Sequence, residues 1–304
     1  MKNKITVLGS INLDTTVRVD DLPKPGETIH SKEMFTNGGG KGANQAIAAA
    51  RNGADVNFIG MVGNDASGEV LLELLEQDEI SIEGIKKLET ARTGTAFVTV
   101  SDDGENSIII YGGANQLISD EHIHGVSHLI DESDFLIAQF ETNLSSIETA
   151  FELSNQAGVT TILNPAPALR EIPSSIIDLT DIFVPNETEL ATIVGHPVEG
   201  KEGLAKAAKE VHELGVKILI VTLGSQGVYY SIAGGETGFV PALKVKAIDT
   251  TAAGDTFIGS FTTKLNSDLS NIKEAITYAN KASSITVQRY GAQPSIPYQK
   301  EVEE

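Results

Sequence analysis

Two carboxylates, Asp249 and Asp255, flank the small-residue run Thr250–Gly254 in the stretch DTTAAGDTF. If Ala253 and Gly254 open a helix, the unpaired N–H groups around Ala252 to Asp255 point one way and form an anion hole. Gly254 lets the backbone come close to whatever occupies it. Asp255 stands beside that hole, where a helix N-terminus favours the ionised carboxylate. Such a carboxylate is a weak base, poorly suited to stripping an alcohol in advance. Phosphoryl transfer removes the difficulty, because its transition state is loose and the alcohol loses its proton only as the bond to phosphorus forms. An isolated Asp here is also a plain helix cap. Capping alone does not account for so many glycines and alanines at the entrance, or for Asp249 just upstream.

Three further stretches carry candidate chemistry. NGGGKGANQA, Asn37 to Ala46, is a glycine-rich loop opening a helix, with Lys41 and Asn44 in position to meet a ligand. It is not the standard phosphate loop, since Gly42 and Ala43 follow Lys41 where a Ser or Thr should hold magnesium, and it lacks the glycine spacing of a dinucleotide fingerprint. NETE, Asn186 to Glu189, reads either as a helix cap with acidic residues near the dipole or as carboxylates that orient a hydrated magnesium through water. VTLGSQG, Val221 to Gly227, runs from a strand into a glycine turn, where N–H groups and the hydroxyls of Thr222 and Ser225 could meet a phosphate.

These residues need a scaffold. Short apolar runs begin at Ile5, Val56, Phe135, Thr160, Asp181 and Lys217, with helical periodicity between most of them. One expected helix face carries Ala43, Ala46, Ile47 and Ala50, another Val70, Leu71, Leu74 and Leu75. This pattern predicts an α/β fold: a Rossmann-like, mostly parallel central sheet flanked by helices on both faces. Ligands of such sheets bind beyond the carboxyl ends of the strands. That rim here holds Asn12, Asp14, Asn64, Asp65, Glu141, Asn164, Asn186, Glu187, Glu189, Thr222 and Gly224, a set suited to many hydroxyls or to magnesium. Two stretches lack helices and read as a small antiparallel lid, with DDGEN at the turn of the second and Ala96, Val98 and Val100 on an apolar face. Residues 1–304 are expected to form one domain, with lid insertions near 14–37 and 93–113.

Composition narrows the partners. The chain has 304 residues, 40% of them apolar, enough for a large packed core. Its 22 Lys and Arg stand against 42 Asp and Glu, a net charge of -20 with no basic patch, so nucleic acid is not expected. There is no cysteine, which removes disulfides, thiolate catalysis and zinc–thiolate sites and points to a reducing cytoplasm. The start of the chain lacks a signal-peptide pattern, and no run reaches the ~18 apolar residues of a membrane span, so no membrane is expected.

Together GSINLD, PKPGET, GGKGANQA, GNDASGE, NPAPA, PNETE, TLGSQGV, DTTAAGDTF and GAQPS resemble the ribokinase (PfkB) family of carbohydrate kinases over essentially the whole chain. The resemblance implies the ribokinase-like fold and ATP-dependent phosphorylation of D-ribose at its 5-hydroxyl, giving D-ribose 5-phosphate and ADP, the first step of ribose catabolism. Matched motif to motif, Asp255 is the base, and Ala252, Ala253 and Gly254 supply the anion hole. Asn12, Asp14, Gly40, Lys41, Asn44 and Glu141 hold the sugar together with Asp255. Asn186, Thr222, Gly224, Ser225, Gly227, Gly254 and Asn280 line the ATP site, and Glu189 assists Mg2+, through water. Asp249, Thr251, Thr286, Arg289, Gly291 and Ser295 match the positions of a monovalent cation, K+ in most members. Asn280 departs from the family, where a histidine is expected, and that bears on nucleotide preference. The family also pairs its lids, which implies a homodimer. Competing readings are a kinase for deoxyribose, fructose or a nucleoside, and an inactive sugar-binding protein on the same fold.

Overall fold

A computed structural model describes residues 2–103 and 105–304. Thirteen strands are found among them: β1 (Lys4–Leu8), β2 (Asn12–Arg18), β3 (Glu33–Gly39), β4 (Asp55–Gly63), β5 (Ser81–Leu88), β6 (Gly94–Val100), β7 (Asn106–Tyr111), β8 (Phe135–Gln139), β9 (Thr160–Asn164), β10 (Ile182–Phe183), β11 (Ile218–Thr222), β12 (Gly227–Ile232) and β13 (Thr237–Pro241). Nine form one sheet in the order β13-β12-β11-β10-β9-β8-β1-β4-β5. It is parallel from β11 to β5 and antiparallel at the β11-β12-β13 edge. The other four form a small sheet, β3-β2-β6-β7.

Period-two alternation builds the core on both faces of the large sheet. Val7, Phe58, Phe135, Ile137, Ile182 and Ile220 pack on one side against the helices Lys41–Arg51, Ala253–Lys264 and Ile272–Thr286. Their neighbours Leu8, Ile59, Leu136, Ala138, Phe183 and Val221 pack on the other against Leu144–Ala157 and Gly200–Glu213. Burial on both faces is why these strands read as continuous apolar runs. The Ala66–Gln77 helix differs from its expected phase. Val70 is 47% exposed, and Leu72 joins Leu71 and Leu75 in the core, so the buried stripe is rotated by about one position.

The small sheet joins the large one through the Gly9–Ser10–Ile11 link. A Cβ on Gly9 would lie 2.6 Å from the Gly42 Cα, so glycine at both positions lets the Lys41–Arg51 helix start against the end of β1. Its two hairpins lie within residues 12–39 and 94–111, and β2 and β6 pair in parallel between them. The turn expected at Asp102–Asn106 includes Gly104, which lies outside the described residues. Ala96 is buried and Val98 and Val100 are half-buried. On the opposite face Met34, Phe97, Ile109 and Tyr111 form a second apolar surface exposed to solvent, while Ile108 and Ile110 are exposed on the face of Ala96 and Val98.

Candidate active site

The Ala253–Lys264 helix begins at Ala252, whose φ of 60° is the left-handed conformation that alanine rarely adopts. The turn before it ends with the Ala253 N–H donating to Thr250 O at 3.2 Å. Among the described residues, the N–H groups of Ala252, Gly254 and Asp255 find no acceptor, so the free donors lie within the stretch Ala252 to Asp255 and only the Ala253 N–H is committed elsewhere. Asp255 is buried in the first turn. Its Oδ2 accepts from Asn44 Nδ2 at 2.9 Å and its Oδ1 from Gln45 Nε2 at 3.0 Å.

The glycine-rich loop supplies the facing wall. Gly40 caps the Lys41–Arg51 helix at φ 88°, a position open to glycine, and a Cβ there would meet Ser10 O at 2.8 Å. The Lys41 N–H donates to Glu141 Oε2 at 3.0 Å, and Ser10 Oγ donates to the same oxygen at 2.5 Å. Burial acts to lower Lys41, but the carboxylates of Asp255, Glu141 and Glu189 outweigh it and hold the ammonium above its ordinary value. Asn12 is buried, and its Oδ1 accepts from Asn115 Nδ2 at 2.8 Å. Asp14, on the next residue of β2 with the same facing, has a buried Oδ1 with no hydrogen-bond partner. Burial, with Glu141 and Asp255 nearby, pushes its carboxyl up to about 7.

Two adjoining cavities open at the carboxyl ends of the strands. The smaller, about 200 Å³, is walled by Lys41, Asn186, Glu189, Thr222, Ala252, Ala253, Gly254 and Asp255. The larger, about 660 Å³, carries Asn186, Thr222, Gly224, Ser225, Gly227, Gly254 and Asn280, with Val228, Leu243, Val245, Ala247 and Phe257 as an apolar lining. Asn280 Nδ2 leans on Val240 O and Pro241 O, each at 3.4 Å. NETE is a complete capping box: Asn186 Oδ1 accepts from the Glu189 N–H at 2.7 Å, and Glu189 Oε2 accepts from the Asn186 N–H at 2.8 Å. Burial raises Glu189, against that N–H and Lys41.

Around Asp249 the carboxylate gathers donors. Oδ1 accepts from the Thr251 N–H (2.9 Å) and Thr251 Oγ1 (2.6 Å), and Oδ2 from the Gly291 N–H (2.9 Å). Burial pushes Asp249 up, but these bonds outweigh it and hold the carboxyl below its usual range. Thr286 points its hydroxyl to Thr256, Arg289 pairs with Glu301 at 2.7 Å, and Ser295 Oγ donates to Ala292 O. The Asp249 carboxylate therefore ties Thr251 and the Gly291 backbone together, while the side chains of Thr286, Arg289 and Ser295 are bonded elsewhere.

Not every rim residue reaches the site. Asp65 caps the Ala66–Gln77 helix through the Gly68 N–H and clamps Thr93, and Asn64 turns out to Glu89. Their place after β4 is explained by capping. Conversely, Ser10, Gln45, Asn115 and Gln139 escaped the sequence reading, although Gln139 is a polar residue inside the apolar strand FLIAQ, a signal that was available.

Known proteins resemble this chain over nearly its whole length. A ribokinase of Staphylococcus aureus (strain COL) is 44% identical over 303 residues, 99% of each chain. A deoxyribokinase of Salmonella typhi is 34% identical over 293 residues, covering 96% of this chain and 95% of that one. The solved structure of Arabidopsis thaliana ribokinase complexed with ribose and ATP is 35% identical, with a TM-score of 0.92 over 100% of this chain and 98% of that one. The model of the pfkB family carbohydrate kinases matches residues 2–299, and the chain belongs to that family.

Proposed function

We propose that this chain transfers the γ-phosphoryl group of ATP to the 5-hydroxyl of D-ribose, giving D-ribose 5-phosphate and ADP. The observation that carries the reading is the place of Asp255. Its carboxylate lies beside free helix N–H groups and Lys41, between a basin of polar side chains under the small sheet and the cavities that end at Asn280. Relatives that match nearly end to end are ribokinases, one of them in complex with both substrates.

Ribose lies against Asn12, Asp14, Gly40, Lys41, Asn44 and Glu141, whose amides and carboxylates pair with its hydroxyls as donors and acceptors. The adenine takes the apolar part of the large cavity, and its phosphates run past Asn186 and the Thr222–Gly227 turn toward Gly254. The 5-hydroxyl oxygen then forms a bond to the γ-phosphorus as the bond to the ADP oxygen breaks. Its proton passes to Asp255, while the Gly254 and Asp255 N–H groups and Lys41 stabilise the charge on the moving group.

Glu189 fits a magnesium held through water, since Oε2 is taken by the capping bond and Oε1 is left to orient a hydrated ion. Magnesium supplies charge neutralisation on the β- and γ-phosphates. Asp249 with the carbonyls of Thr251, Thr286, Arg289, Gly291 and Ser295 fits a potassium ion, whose part is to hold the turn before Ala252 in shape. The solvent-facing apolar strip from Met34 to Tyr111 is assigned to a homodimer that pairs the two small sheets. No helix among the described residues is long and apolar enough to cross a membrane, and we place the enzyme in the cytoplasm, where a cysteine-free chain and its substrates meet.

A coupled assay of ADP release over a panel of ribose, deoxyribose, fructose and a nucleoside, with and without potassium, tests this. Ribose is expected to give the highest kcat/KM. No sugar-dependent ADP release would overturn the kinase reading, and a preference for deoxyribose would replace the substrate.

A further inference from the structure

Asp255 is gripped from the interior as well as from the sugar side. Gln45, fully buried, donates through Nε2 to Asp255 Oδ1 at 3.0 Å and accepts through Oε1 from Gln139 Nε2 at 2.8 Å. Gln139 is also fully buried, at the carboxyl end of β8. Nothing in an apolar sheet asks for an amide there.

The direction of this chain is forced. An ionised carboxylate only accepts hydrogen bonds. Gln45 must therefore turn its NH2 group to Asp255, which leaves its carbonyl oxygen facing inward, and Gln139 must offer its own NH2 to that oxygen. Gln139 Oε1 is then stranded without a donor against Gly9, where a Cβ would lie 2.3 Å from it. Turning Gln139 over would set two carbonyl oxygens against each other. Asn164 closes the arrangement: its Oδ1 lies 3.2 Å from Gln45 Nε2, and its Nδ2 is committed to Val184 O at 3.0 Å. A buried acceptor left unpaired is destabilising. It persists here at the far end of a chain whose near end is the carboxylate of the site.

We propose that Gln45 and Gln139 are positioning residues for phosphoryl transfer, forming a directed amide chain that fixes Asp255 Oδ1 and leaves Oδ2, shared with Asn44, to take the hydroxyl proton. The proposal rests on the kinase reading with Asp255 as base. As the sugar oxygen bonds to phosphorus and the bond to ADP breaks, the proton moves to Oδ2. Oδ1 becomes the carbonyl oxygen of the neutral acid and still accepts from Gln45. The chain keeps its hydrogen bonds through the step, so no reorganisation is needed at the moment of transfer. Gln45 then acts on turnover and leaves sugar and nucleotide binding alone.

Steady-state kinetics with ribose and Mg·ATP, together with thermal unfolding, test this on Gln45→Met, Gln139→Met, the double variant and Asp255→Asn. Gln45→Met is expected to lower kcat about 10- to 100-fold, the range for losing a hydrogen bond to a charged group, with both KM values within about threefold of the parent. Gln139→Met is expected to lower kcat about threefold or more, and the double variant to be no slower than Gln45→Met, because Gln139 acts only through Gln45. Gln45→Glu, equal in shape but unable to donate when ionised, is expected to restore nothing. Unchanged kcat in both single variants, losses that multiply in the double variant, or an effect confined to KM or thermal stability would overturn the chain. If Gln45→Met does not fold, Gln139→Met, which makes no hydrogen bond to Asp255, decides the matter by the same kcat criterion. Asp255→Asn separates the two readings: full turnover in that variant overturns the base itself, whereas an inactive Asp255→Asn beside fully active glutamine variants overturns only the chain.

Discussion

Asn44 Nδ2 donates to Asp255 Oδ2 across 2.9 Å although the two residues are 211 positions apart. That bond ties the helix opened by the glycine-rich loop to the helix opened by DTTAAGDTF, so the residue assigned to the sugar and the one assigned to the proton are set against each other before any ligand arrives. Asp255→Asn keeps the shape of this contact and removes the proton acceptor. We expect ribose and ATP affinities within a few-fold of the parent by calorimetry, and turnover lower by at least ~100-fold, the usual range for a general base. Near-normal turnover would remove Asp255 from the mechanism.

Asp14 gives the site a pH dependence with a definite sign. Burial, then Glu141 and Asp255, raise its carboxyl from 3.8 to about 7. A carboxyl that titrates higher in the folded state than in the unfolded chain favours folding while protonated and loses that contribution as pH rises from about 4 to 7. Without ligand, Asp14→Asn should therefore leave the unfolding temperature unchanged near pH 4 and raise it by roughly 2 °C or more at pH 8. Ribose affinity should fall in the same variant, since the amide cannot accept as a carboxylate does. Equal unfolding temperatures of parent and variant at pH 8 would show that Asp14 carries no such burden.

How much of this was legible beforehand follows from burial. β1, β4, β8, β9 and β11 read clearly because both faces are covered and most positions are apolar. β5, with Glu83, Lys86 and Lys87 on the exposed edge, and the Gly227–Pro241 hairpin at the other edge do not carry that signature. Lys41, Asn44 and Asp255 stand out by their glycine-rich settings. Gln45 and Asn115 do not, because an amide announces nothing about its partner, and theirs lie 94 to 210 positions away. The left-handed Ala252 was invisible for a different reason: alanine is not the residue that marks such a turn.

Glu189 has two tasks that one pair of substitutions separates. Its Oε2 completes the capping box with Asn186, and its charge is the part that a hydrated magnesium would feel. Gln at this position keeps the cap and drops the charge. Glu189→Gln should keep the unfolding temperature of the parent and require several-fold more magnesium for half-maximal rate. Glu189→Ala should show the same magnesium demand and in addition unfold at a lower temperature, because the Asn186 N–H loses its acceptor. A magnesium titration of Glu189→Gln that overlays the parent's would leave the residue as a cap alone.

The apolar strip on the small sheet makes the assembly testable apart from the chemistry. Ile109 is 68% exposed near its centre, with Phe97 opposite it in the β6–β7 register and Tyr111 two residues along on the same face. Exposed apolar residues in such a row are stable in water only when something covers them. A charge there would have to be buried unpaired if two small sheets meet, at a cost that outweighs any gain from the remaining contacts. Ile109→Lys should therefore sediment as a monomer at concentrations where the parent is a dimer. Because the same sheet carries Asn12 and Asp14 at its root, the monomer should show a higher KM for ribose with the ATP site unaltered. A parent that sediments as a monomer would end the pairing proposal. A monomeric variant with unchanged KM would confine the strip to assembly.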